Sequence, residues 1–306
     1  MHIYLPIAQV SVNWLVILGL GVSVGFLSGM LGVSGGFITT PLLMFYGIPA
    51  GVAVSTQASP IAAASLVGAL KQGQRNSVDY MMGFVLLCGG TAGSAVGVFL
   101  FKVLQKAGQI DLVVQASYVL LLGSVGILML RESLQAVLVA RGRAQPSQRV
   151  LRRHTWIHNL PFKVRFRRSG LYISAIPVIV LGFAVGIMTA ILGTGGAFLL
   201  IPAKIYLLRM RTTMAVGTSQ FQMFVVAIVS TLMHAATDYT VDLVLGFILV
   251  AGGVVGAQFG VGVGSRLRAE ELRVVLAALL VIIAVRLLAG LVLTPSDLYS
   301  VSTALQ

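Results

Sequence analysis

The chain has 306 residues, 58% of them apolar and only 9% charged, and its mean hydropathy is +0.99. That balance excludes a soluble globular domain, which needs far more charge to cover its surface. The net charge of +13 does not indicate nucleic acid either, because ten of the 21 Lys and Arg fall within residues 131–168 and the apolar blocks are nearly free of them.

In chain order, the opening MHIYLPIAQV has no Lys or Arg ahead of the first apolar run, which predicts a retained segment rather than a cleaved signal. The first half then reads as apolar segments 12–31, 36–46, 53–70, 80–101 and 112–130. The second reads as 171–192, 197–208, 214–234, 241–264 and 272–293. A bilayer core about 30 Å thick needs roughly 20 residues per helical span, so 36–46 and 197–208 are too short to cross. Each follows a glycine-rich break, and break plus short piece predicts a helical hairpin or a re-entrant segment. The expected fold is an all-α polytopic membrane protein. Its parts are a first repeat over 1–130, a basic loop over 131–170, a second repeat over 171–294 and a tail over 295–306.

The two halves are related in sequence. GFLSGMLGVSGGFITTPLL begins at Gly25 and GIMTAILGTGGAFLLIPAK at Gly186. Gly25, Leu31, Gly32, Gly35, Phe37 and Pro41 match Gly186, Leu192, Gly193, Gly196, Phe198 and Pro202 without a gap. Ala53 to Thr56 then fall against Ala215 to Thr218, and Gly89, Gly90, Gly93 and Gly97 against Gly252, Gly253, Gly256 and Gly260. Matches in this order point to an internal repeat.

Charge sets an expected orientation. With the basic loop in the cytoplasm, as positive charge beside spans requires, Lys71, Arg75, Arg209, Arg211, Arg266, Arg268 and Arg273 also fall inside. Lys102 and Lys106 fall outside with His234, Asp238 and Asp242. Each half then holds one returning hairpin and three crossings, so the repeats are inverted, as in many secondary transporters. The loop can also touch anionic lipid.

The breaks are the first candidate site: Gly32, Ser34, Gly35 and Gly36, with Gly193, Thr194, Gly195 and Gly196. Dense glycine releases a helix, and the freed backbone must be satisfied by protein or line a wet cavity. A helix restarting there aims N–H groups at mid-membrane, where they suit an anion; the bland alternative is close helix packing. Ser55, Thr56 and Gln57, with Thr218, Ser219 and Gln220, open the following spans and either cap them or look into the cavity. Arg286 lies inside a segment, where a charge is costly and often functional. Lys204 is expected to snorkel to the cytoplasmic interface, and Cys88, mid-block, to pack.

All eight acids fall in loops or at segment ends, and no ATP loop, metal cluster or paired carboxylates are visible. The expected site is neutral, rich in N–H and O–H donors and suited to a small anion, with no cofactor and no enzymatic chemistry. An inside-negative potential drives an anion outward by about 2.3 kcal/mol per charge per 100 mV, which leans toward export.

The doubled G-x-G-G element with its following proline, the later AVSTQ and AVGTSQ, and the glycine-rich spans resemble the sulfite exporter TauE/SafE family over nearly the whole chain. The resemblance implies a bacterial inner-membrane permease for sulfite or small organosulfonates, working by alternating access. It leaves open an importer of a sulfur-containing anion, an anion channel, and whether the chain forms a homo-oligomer. A sulfur-relay enzyme using Cys88 is a further reading, with no partner base in view.

Overall fold

The computed structural model describes residues 2–31, 35–140, 161–166, 168–208, 210–264 and 269–292. Ten helices account for most of it. In the first half these are α1 (Trp14–Leu31), α2 (Gly36–Phe45), α3 (Ala50–Gln74), α4 (Tyr80–Lys106) and α5 (Ile110–Ala140). The second half has α6 (Ala175–Leu192), α7 (Ala197–Tyr206), α8 (Thr212–Thr237), α9 (Leu243–Gly264) and α10 (Ala269–Val292). Among the described residues seven of these helices are long and apolar enough to cross a membrane, whereas α1 falls just short by length and α2 is a ten-residue helix.

Two small hairpins stand apart from the helical expectation. Strands β1 (His2–Leu5) and β2 (Val10–Asn13) precede α1, and β3 (Lys163–Phe166) and β4 (Leu171–Ser174) precede α6. Segment 171–192 therefore begins as a strand and becomes a helix only at Ala175. Ser174 makes the change: its hydroxyl accepts from the Ile176 N–H and caps α6. Both hairpins are covered by apolar packing. Leu5, Ala8 and Val12 join Leu43, Ile48 and Ala53, while Phe166 and Ile173 join Leu208, Met210 and Ala215.

Helix directions follow from the glycine contacts. Gly21 and Gly29 of α1 meet Leu249 and Ala257 of α9, so this pair runs parallel; Gly89 and Gly93 of α4 meet Ile179 and Phe183 of α6, again parallel. Gly68 of α3 packs on Gln220 of α8 and Gln72 lies against Gly217, so α3 and α8 run antiparallel. Gly123 and Gly126 of α5 meet Ala284 and Leu280 of α10 in the same sense. Bare backbone on one side lets the axes approach until main chains touch, the favoured way to gain dispersion contact between helices in lipid.

Each end of the bundle has its own connections. At one, the Ala50 N–H donates to Asp111 and the Ser55 hydroxyl to the Thr240 carbonyl. At the other, Arg168 donates to the Val78 carbonyl and Ser169 donates twice to Asp79. Helix α3, 25 residues long, joins the two ends over ~37 Å. The second end gathers Lys71, Arg75, Arg165, Arg168 and Arg211. Most of the 131–170 connection, Arg209, Arg266 and Arg268 lie outside the described residues.

Candidate anion site at the broken helices

The second break is fully drawn. Helix α6 stops at Gly193, whose φ of 62° is left-handed and whose N–H bonds back to the Thr189 carbonyl. Gly195 and Gly196 follow at φ 68° and 57°, and α7 starts beyond them. Three left-handed positions in four residues are tolerated because glycine has no Cβ to clash there. Thr194 is buried, and its hydroxyl accepts from the Gly196 N–H. The last carbonyl of α6, at Leu192, would be orphaned by the break; the buried Tyr118 hydroxyl of α5 donates to it at 2.6 Å. A Tyr118→Phe variant is expected to lose about 1–2 kcal/mol of stability, read as a lowered midpoint in thermal unfolding of the detergent-solubilised protein.

At the first break, Gly32 and Ser34 lie outside the described residues, while Gly35 and Gly36 start α2. The two breaks touch: a Cβ on Gly36 would stand 3.0 Å from the Gly193 carbonyl oxygen and 2.5 Å from Ile61. Gly193 in turn faces the Val54 carbonyl of α3. The meeting point is deep, since Ile61 lies eleven residues, or ~17 Å, along α3.

Beside this junction is a cavity of about 90 Å³ between α1, α2, α3 and α9. Gly35, Gly36, Ser28, Thr39, Gln57 and Pro60 contribute to its wall. Its size suits a few waters or one small oxyanion. At the start of α2 the Ile38 and Thr39 N–H groups are taken by the Gly35 carbonyl, and the helix end brings a partial positive charge to the wall. Gln57 is 3% exposed and its Oε1 has no hydrogen-bond partner; turned over, the same amide presents N–H donors instead. The corresponding place in the second half is closed, with Val185, Leu200 and Met223 packed as one apolar cluster.

The remaining expected residues are elsewhere. Ser55 donates to the Gly51 and Thr240 carbonyls at one end of the bundle. The Thr56 hydroxyl accepts from the Asp242 N–H at 2.9 Å, and the Thr218 hydroxyl from the Asp79 N–H at 3.1 Å, a matching pair of ties at opposite ends. Gln220 packs on Gly68. Arg286 is exposed and stands over the Phe45 ring at 5.4 Å, away from the cavity. Cys88 is exposed rather than packed, so it lies on the outside of the bundle.

Lys204 overturns the snorkelling expectation. It is 0% exposed, and its ammonium donates to Ser219 at 3.0 Å. Helix α7 returns from the break toward the end of the bundle with Arg211, but Lys204 turns there onto Ser219 of α8, so closeness in sequence to Arg209 does not bring it to an interface. No carboxylate pairs with it: the one ion pair among the described residues is His234–Asp238. The repeat carries the missed signal, because an offset of 161 places Lys204 on Leu43, which is itself fully buried. The acids also differ in part. Asp79, Asp238 and Asp242 do stand at helix ends, but their carboxylates are buried in protein.

A polytopic helical bundle with a cavity where two broken helices meet has the architecture of a membrane transporter. The chain belongs to the sulfite exporter TauE/SafE family, whose profile matches residues 17–287. Among curated relatives, a "Probable membrane transporter protein" of Xylella fastidiosa (strain 9a5c) is 27% identical over 259 residues, covering 84% of this chain and 87% of that one. The "Probable membrane transporter protein YunE" of Bacillus subtilis (strain 168) is 22% identical over 286 residues, covering 90% and 97%. YjnA of the same strain, similarly described, is 26% identical over 272 residues, covering 88% and 97%. No solved structure matches the chain significantly.

Proposed function

We propose that this membrane transporter exports sulfite or a small organosulfonate across the bacterial inner membrane by alternating access. The observation that carries the reading is the cavity at the meeting point of the breaks, with the start of α2 and Gln57, whose Oε1 has no partner, on its wall. No described acid lines the cavity, and an anion there meets the positive end of α2 and, with the Gln57 amide turned over, its N–H group. Lys204 places a buried amine farther along α7, toward the end of the bundle where the basic residues collect.

The two repeats are inverted in this reading. Counterpart helices α3 and α8, and α5 and α10, run antiparallel where they touch, which supports it. So does the difference between an open cavity in one half and a filled counterpart in the other, since exchanging those two conditions is what alternating access requires. The end of the bundle with Lys71, Arg75, Arg168 and Arg211 is cytoplasmic by the rule of positive charge inside. The membrane potential then favours outward movement of an anion.

Binding tests the site directly. Purified protein is titrated with sulfite, sulfate, thiosulfate, sulfoacetate and taurine while thermal unfolding is followed. Sulfite or one of the sulfonates is expected to raise the midpoint by linkage, and Gln57→Leu to weaken the effect at least tenfold in concentration. No response to any of the five ligands overturns the substrate assignment.

A further inference from the structure

His234, near the end of α8, is 1% exposed, and the Asp238 carboxylate beside it is 0% exposed. The ring has an acceptor at each nitrogen: Asp238 Oδ2 lies 3.1 Å from Nδ1, and the Ala190 carbonyl lies 3.1 Å from Nε2. Phe101 of α4 closes the ring edge-on at 4.8 Å. Asp238 is the charged group that the ring meets. Helix α6 carries no charged residue, and neither Lys102 nor Lys106 of α4 pairs with the carboxylate.

A neutral imidazole has one N–H, so a neutral ring facing an ionised Asp238 satisfies only one of these contacts and sets a lone pair against the other. Both contacts hold when the pair has one further proton. That proton sits either on the ring, beside a carboxylate, or on Asp238, donating to Nδ1. The proton count and the zero net charge are the same either way, so the inference does not depend on the tautomer. Asp238 Oδ1 is buried and without a hydrogen-bond partner. On release, the proton passes to water and its electron pair stays on the carboxylate or the ring.

Location gives this proton a consequence. Ala190 is three residues before Gly193, in the last turn of α6, so the loaded pair fastens the end of α8 to the helix that enters the second break. Unloading forces one of the two contacts apart. We infer that His234 and Asp238 form a proton site that couples proton movement to anion transport, one proton travelling with each anion. The inference rests on the transport reading above. A divalent oxyanion travelling with one proton still carries one net negative charge for the membrane potential to drive outward.

The full chain is reconstituted in proteoliposomes, the potential is clamped at zero, and labelled sulfite is followed with protein-free vesicles subtracted. Two modes are compared: exchange at equal pH, and accumulation driven by a pH gradient. The wild type is expected to do both. His234→Asn and Asp238→Asn are each expected to keep exchange within about threefold and to lose gradient-driven accumulation at least tenfold. A merely structural role would lower both modes together, and the second variant serves if the first does not purify as a monodisperse protein. Wild-type exchange without any pH-driven accumulation overturns the proton site alone, as do variants that accumulate like the wild type. Absence of exchange in the wild type overturns the transport reading with it.

Discussion

A Gly256→Leu variant is expected to lose the folded protein, whereas Gly19→Leu keeps it. Both glycines belong to the α1–α9 pair. Gly19 has nothing within 4 Å of the place its Cβ would occupy, but at Gly256 the Cβ would run into the Val22 carbonyl oxygen of α1. Backbone is the obstacle, so no side-chain rotamer relieves it, and the two helices must separate along their length. Overpacking an ordinary core costs about 1–3 kcal/mol; forcing two backbones apart belongs at or above the top of that range. Against a stability of about 5–15 kcal/mol, the expected result is loss of the monodisperse species in detergent or a large fall in the unfolding midpoint. Gly93→Leu should behave in the same way, because its Cβ would meet the Phe183 carbonyl of α6.

Lys204→Met is expected to move stability and transport in opposite directions. Leu43, its counterpart in the repeat, shows that an apolar side chain fits such a place without exposure. Removing an unpaired buried amine relieves its desolvation cost, so the unfolding midpoint should hold or rise. Anion flux should fall at least tenfold, since the interior loses its one buried lysine among the described residues. A variant that is as stable as the wild type and transports as fast would remove Lys204 from the account.

Glycine and apolar length made most of this architecture legible. Segment lengths gave the helices to within about five residues, because a run of 18 or more apolar residues has one stable form in lipid, except that α5 runs on to Ala140, ten residues past the expected end. Gly193, Gly195 and Gly196 marked the second break for the same local reason: three left-handed positions exclude other residues. The hairpins before α1 and α6 were not legible. Two four-residue strands carry little periodicity; KVRF lies in the basic stretch that reads as a loop, and LYIS opens the apolar segment that reads as a helix.

The candidate site was legible in part, and the division is physical. Gly35, Gly36, Gly193 and Gln57 stand at or beside the junction because the break itself places them there. Thr56 and Thr218 were read as either capping their spans or facing the cavity, but nearly two turns into α3 and α8 each accepts instead from a neighbouring loop N–H, which only the packing of the halves decides. Lys204 and the His234–Asp238 pair were hidden for a related reason. Position near a segment end suggests exposure, yet Lys204 turns onto Ser219 of α8 and Asp238 turns back onto His234. Arg286 illustrates the converse, a charge inside an apolar segment that stays on the outside over Phe45.

The central claim is that the junction of the two breaks carries an anion across the membrane. Labelled sulfite efflux from proteoliposomes under an imposed potential tests it most directly. The expected result is saturable efflux that quickens when the vesicle interior is made negative and falls at least tenfold in Gln57→Leu. Sulfite flux indistinguishable from protein-free vesicles, at every potential and pH gradient, would contradict the account.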